Sequence, residues 1–143
     1  MKQPVLLFCL VFFIACNPAK QEKQEQKQNG RSAPITSLLF KNEMHNFSPL
    51  EAREIVLHSF IFTNTGESDL WINNIDTGCG CMSATYPEKP IKPGEKGTIT
   101  VEFNTSGLHG KQMKTITVEA NVPKPKHLTI FAEVKNEQLK FNL

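Results

Sequence analysis

The chain has 143 residues, 16 basic and 14 acidic side chains, and a formal charge of +2. This length suits one domain of ordinary size. The acidic and basic residues are interspersed through the C-terminal two thirds, which excludes the basic stripe of a nucleic-acid binder. The four cysteines are too few and too unevenly placed for a disulfide-held miniature scaffold.

The first element is an address. Met1-Lys2-Gln3 precedes an apolar run from Pro4 to Ala15, and Cys16 follows. One basic residue, a short apolar run and a small residue before cysteine predict a secretory signal peptide over residues 1–15. The run is shorter than the roughly 20 apolar residues that span a bilayer. Phe13-Ile-Ala-Cys16 has the form of a bacterial lipobox, with phenylalanine where leucine is commoner. Cleavage would discard Cys9 and leave Cys16 as the lipid-bearing first residue. Several acyl chains there would anchor the protein, since each buried methylene contributes about 0.8 kcal/mol. The expected location is extracytoplasmic, on a bacterial membrane, facing the periplasm or the cell surface.

Residues 16–34 read as the lipidated cysteine and a polar tether. Gln21-Glu-Lys-Gln-Glu-Gln-Lys-Gln28 has no apolar side chain to offset its ordering entropy. As a flexible linker it reaches on the order of 25 Å.

The folded domain is expected over residues 35–143, as short β-branched and aromatic runs between turns. Leu38 to His45 reads as a first strand, and Glu51 to Glu54 as a loop. Ile55 to Asn64 reads as a second strand with Val56, His58, Phe60 and Phe62 on one face. Asn64-Thr-Gly66 turns the chain into Leu70 to Ile75. Cys81 to Tyr86 is a further short strand, stopped by Pro87. Lys92-Pro-Gly-Glu95 has the residues of a type II turn, with proline presetting φ and glycine accepting its positive value. Thr98 to Phe103, Met113 to Ala120 and Leu128 to Val134 complete the series. About seven strands in about 100 residues point to an all-β, immunoglobulin-like Greek-key sandwich. A small open barrel is the competitor, and no widely spaced cysteine pair supports an antibody-type domain.

The succession Phe60-x-Phe-Thr-Asn-Thr-Gly66, Leu70-x-Ile72, Cys79-Gly-Cys81, Ile91-x-Pro-Gly94, Ile99-x-Val-x-Phe103 and Lys114-Thr-Ile-Thr-Val118 resembles a bacterial immunoglobulin-like family. It is a domain family of unknown function, number fifteen-seventy-three, frequent in secreted and lipid-anchored proteins. The resemblance runs from about Leu38 to Val134. It implies a sandwich related to major-sperm-protein and pilus-chaperone-like domains, and it implies no activity.

Cys79 and Cys81 carry the domain's chemistry, and three readings stay open for them. They can be structural, as half-buried thiols or a simple disulfide. They can form a small-loop disulfide that is easily reduced. Reduced, they can hold copper or zinc, with Met82, His58, Met113 or His109 completing the shell. No other cofactor is expected. The histidines His45, His58, His109 and His127 read as sheet or turn residues, since no zinc-ligand spacing links them. Asn46-Phe-Ser48 and Asn104-Thr-Ser106 match glycosylation acceptors by chance spacing, given the bacterial lipobox. Trp71 and Tyr86 are candidate partner anchors, although a lone tryptophan in a sandwich usually belongs to its core. No nucleophile elbow, phosphate loop or paired carboxylates occur. The expected role is a non-catalytic, lipid-anchored binding or structural module for another envelope protein. The alternative is a thiol-redox or soft-metal lipoprotein using Cys79 and Cys81.

Overall fold

The computed structural model describes residues 34–47 and 49–135. The expected signal peptide, Cys16, the expected linker up to residue 33, Ser48 and the segment 136–143 lie outside the described residues. Among the described residues nine strands run in chain order: β1 (Leu38–Phe40), β2 (Met44–Asn46), β3 (Leu50–Glu51), β4 (Ile55–Asn64), β5 (Ile72–Asp76), β6 (Met82–Thr85), β7 (Lys96–Asn104), β8 (Gly110–Ala120) and β9 (Lys126–Lys135). They form two sheets. The first has the order β1-β4-β7-β6; the second has the order β2-β9-β8-β5, with β3 also on β9. Because β8 takes the other edge of β9, β2 and β3 follow one another along its remaining edge, both parallel to it.

Alternation explains which faces meet. In β4, Phe60, Phe62 and Asn64 are buried while Ile55, Leu57, Ser59 and Ile61 face solvent. In β7, Gly97, Ile99, Val101 and Phe103 are buried. The second sheet opposes them with Ile116, Val118, Leu128, Ile130, Ala132 and Val134. Each large apolar side chain taken fully out of water contributes about 1.5–3 kcal/mol, so these two inner faces hold the sandwich closed. Gly97 is required by close packing: a β-carbon there would lie 2.3 Å from the tip of the Phe62 ring.

The expected first strand, Leu38 to His45, is broken in two. Leu38 and Phe40 point inward in β1, whereas His45 and Phe47 are the half-buried positions around β2. The inward phase therefore changes from even to odd numbers. A single strand cannot keep both sets inside, because a one-residue slip turns every side chain over. The chain bends at Lys41–Glu43 and crosses to the other sheet. Counting β1 to β3 as one interrupted strand recovers seven, with the sheet composition of an immunoglobulin-type sandwich. The later strands lie where they were expected, to within a few residues at their ends. Leu70 is the exception: it stands before β5 as an isolated bridge to Ile91. The Lys92–Glu95 turn forms as expected, with Gly94 at φ 80° and Glu95 N–H donating to Lys92 O at 2.9 Å.

One end of the sandwich is tied by a single buried amide. Asn64 Oδ1 accepts from Thr36 Oγ1 at 2.9 Å and from Gly66 N–H at 3.1 Å. Its Nδ2 donates to Ser68 O at 2.8 Å and to Ile91 O at 2.9 Å. Four partners in three segments, at Thr36, Gly66–Ser68 and Ile91, are thereby fastened to one side chain. Asn64→Ala strands those partners in the interior, where each unsatisfied group carries a desolvation penalty. We expect a loss of about 3 kcal/mol or more in urea unfolding, with Asn64→Asp also destabilised because it lacks the amide donor.

Candidate functional site

The chain passes from β5, at the edge of one sheet, to β6, at the edge of the other, through Thr77–Cys81. Cys79 and Cys81 sit in this crossing and are joined as a disulfide, with their Cα atoms 5.3 Å apart. Gly80 and Cys81 form the centre of a turn in which Met82 N–H approaches Cys79 O at 3.4 Å. The rest of the crossing is held without the sulfurs. Gly78, at φ 69°, donates its N–H to Asp76 Oδ1 at 2.8 Å. Thr77 Oγ1 lies 3.4 Å from Cys79 O and 3.3 Å from Met82 O. Asn104 N–H donates to Cys81 O at 2.9 Å, fastening the turn to β7. Both cysteines are half-buried and pack against the core. A β-carbon placed on Gly80 would meet nothing within 4 Å, so the turn is open to solvent on that side.

The other residues considered as ligands do not gather here. Met82 is adjacent, but its side chain is buried in β6, in register with Phe103. His58 lies on β4, separated from β6 by β7. Met113 is exposed on β8, and His109 is exposed in the β7–β8 turn. Among the described residues no three His, Cys, Asp or Glu side chains come together as a metal site. Copper or zinc at Cys79 and Cys81 would need the pair reduced, since a disulfide offers no thiolate. Trp71 is 41% exposed rather than part of the core, and Tyr86 is half-buried.

Two features lie at the opposite side of the sandwich, and the sequence did not announce either. His45 of β2 and His58 of β4 stack face to face, with centroids 3.5 Å apart and planes 9° from parallel. Phe47 meets the His45 ring edge-on at 4.5 Å, and Phe60 meets the His58 ring edge-on at 4.7 Å. The stack joins the two sheets where β1 ends. Burial lowers the pKa of both imidazoles, and repulsion from His45 lowers that of His58 further. The inward alternation of His58 was visible in the sequence. Its partner became visible only once β2 had crossed over.

The second feature is an open strand edge. β1 pairs only with Phe62, Thr63 and Asn64 of β4, and Lys41 N–H adds one bond to Ile61 O at 2.9 Å. By the two-residue period, Ser59, Leu57 and Ile55 aim their N–H and C=O groups to the same side as Ile61. No described strand pairs with them there. Ile55, Leu57, Ile61 and, on β1, Leu39 are exposed beside this edge. A shallow pocket of about 210 Å³ opens next to it, lined by Lys41, Asn42, His58, Ser59, Phe60 and Ile61.

The family DUF1573, described as a protein of unknown function, matches residues 38–134. The chain belongs to this family. No curated protein matches it. Solved structures agree on the fold. A protein of unknown function from Porphyromonas gingivalis W83 is 16% identical with a TM-score of 0.62, over 71% of this chain and 48% of that one. This DUF1573 chain thus matches only about half the length of that protein. The PapD-like domain 7 of human CEP192 is 12% identical with a TM-score of 0.58, over 72% of this chain and 88% of that one. The secreted serine protease VesC from Vibrio cholerae is 12% identical with a TM-score of 0.53, over 69% of this chain but 23% of the protease. At such identities the likeness is one of fold.

The stacked histidines give the DUF1573 domain a pH dependence with a definite sign. Their native pKa values lie below the unfolded value of 6.5, so the unfolded chain binds protons first. Stability is unaffected above pH 6.5 and declines as pH falls through that value towards the lowered native pKa values. Thermal melts should show a falling Tm between pH 7 and pH 5, and His58→Gln should flatten the slope. A wild-type profile with no slope in that window contradicts the neutral pair.

Proposed function

We propose that this protein is a lipid-anchored, non-catalytic module of the bacterial cell envelope, and that it binds another envelope protein by strand addition along β4. The single observation carrying this reading is the outer edge of β4 from Ile55 to Ser59, which no strand among the described residues pairs. Free backbone donors and acceptors on an edge strand accept an extended peptide, and side chains at alternate positions give it specificity. Leu57, 62% exposed, sits midway along this run and on the solvent face, where an added strand would cover it. The family membership and the PapD-like fold are consistent with a binding module. The anchor rests on the sequence signals at Phe13 to Cys16, and the polar tether that follows would hold the domain clear of the membrane surface.

A photoreactive residue at position 57 tests the proposal in cells. It should crosslink to a discrete envelope protein, and Leu57→Asp should reduce co-purification of that protein at least about tenfold, the effect of losing roughly 1.4 kcal/mol. Because Leu57 is exposed, the variant should keep the parent's Tm. Recovery of no specific partner from position 57, with the protein correctly anchored, counts against the proposal.

A further inference from the structure

We propose that Cys79 and Cys81 form a reversible dithiol–disulfide couple that exchanges electrons with an external dithiol while the sandwich stays folded. This is independent of strand addition at β4, which lies on the other side of the first sheet.

Four observations converge. First, the bond closes a loop across one glycine. The stabilisation a disulfide gives by restricting the unfolded chain grows with loop length, so this bond contributes little to holding the fold. Second, the crossing is fixed by hydrogen bonds that do not involve sulfur: Gly78 to Asp76, Thr77 to the Cys79 and Met82 carbonyls, and Asn104 to Cys81. Opening the S–S bond leaves that frame in place, with the two thiols still side by side and ready to close again. Third, the turn is accessible, since the space over Gly80 is empty. Fourth, residues 17–143 hold no cysteine besides this pair, so no other thiol of the folded domain competes for the bond and an external dithiol can supply the electrons.

The exchange balances as follows. A thiolate of the external dithiol attacks one sulfur of the pair, the S–S bond breaks, and the departing sulfur of Cys79 or Cys81 takes up a proton. The second thiol of the external molecule then attacks the mixed disulfide and releases the other cysteine as a thiol. Two electrons and two protons pass to Cys79 and Cys81, and the external dithiol becomes a disulfide. The reverse reaction makes the protein a reductant for an external disulfide.

The test uses the full chain in its oxidised form and dithiothreitol as the dithiol. After quenching with a maleimide, mass spectrometry reads the label on the peptide carrying Cys79 and Cys81, which separates it from Cys9 and Cys16. We expect native protein to be reduced no more than about tenfold more slowly than urea-unfolded protein. The reduced protein should keep its β-type circular dichroism and a cooperative thermal transition, and oxidised glutathione should restore the bond. A gap larger than about tenfold, or loss of the fold on reduction, overturns the proposal. As a second arm, Cys81→Ser and Cys79→Ser each leave one thiol of the pair. At least one of them should take up glutathione as a mixed disulfide on that peptide under native conditions, and failure of both overturns the proposal as well.

Discussion

The inner faces of both sheets are apolar out to their margins, so each open side of the sandwich has to be sealed. This requirement organises the molecule. The chain crosses between the sheets five times, and two of these crossings, at Lys41–Glu43 and at Thr77–Cys81, close the sides that hold the candidate sites. The first crossing carries His45 and Phe47 over to stand against His58, Phe60 and Phe103. The second places Cys79 and Cys81 against the core at the β5–β6 side. Both candidate sites are thus consequences of closure. They sit where backbone leaves one sheet for the other, and regular pairing has to stop there.

Each crossing also shows what sealing a side leaves behind. β1 must end early so that β2 can join β9, and this exposes the edge of the first half of β4. The histidine stack fills the gap with rings that are apolar on their faces and polar at their rims, which suits a position half in the core. Two charged imidazoles at 3.5 Å would repel, so the seal holds best with both neutral. On the opposite side, the disulfide contributes compact, weakly polar volume packed against the core. Its neighbours Thr77, Asp76 and Asn104 satisfy the turn's backbone without it.

Much of the fold was legible in the sequence because its strands alternate strictly. β4, β7 and β9 follow from inward residues at every second position, and the Pro93-Gly94 turn follows from φ preferences alone. The break in the first strand was not legible. Lys41-Asn42-Glu43 are poor strand formers between two apolar stretches. A polar interruption alone does not tell a loop from an exposed stretch of one strand, and only the shift of inward phase between Phe40 and His45 reveals that two sheets share the segment. Recognising that shift requires knowing which positions are buried. Cys79-Gly-Cys81 was legible as chemistry, yet sequence spacing could not decide between disulfide and ligand pair. That choice depends on the turn at Gly80, which brings the Cα atoms to 5.3 Å. His58 was weighed as a companion to the cysteines, and β7 stands between them. For Trp71 the sequence leaves an exposed position and a core position both open, and the structure takes the exposed one. This residue precedes β5 next to buried Leu70, and alternation turns it outward.

The two outer faces differ in a way that bears on binding. On the second sheet, exposed positions of β8 and β9 pair Lys111 with Glu133 in register, and the exposed Met44 and Met113 stand on separate strands, β2 and β8. On the first, β7 offers Thr98, Thr100 and Glu102, while β4 offers Ile55, Leu57 and Ile61. Single exposed apolar residues need no explanation, but several along one strand, next to unpaired backbone, form the combination that proteins usually suppress on edges. Lys41 and Glu43, which flank the crossing, provide charge only at its upper end. β4 therefore keeps an edge that would favour unwanted association unless a cognate segment covers it. Anchoring the chain at Cys16 would confine that exposed edge to one compartment and to neighbours within reach of the tether, which limits the strands available to it.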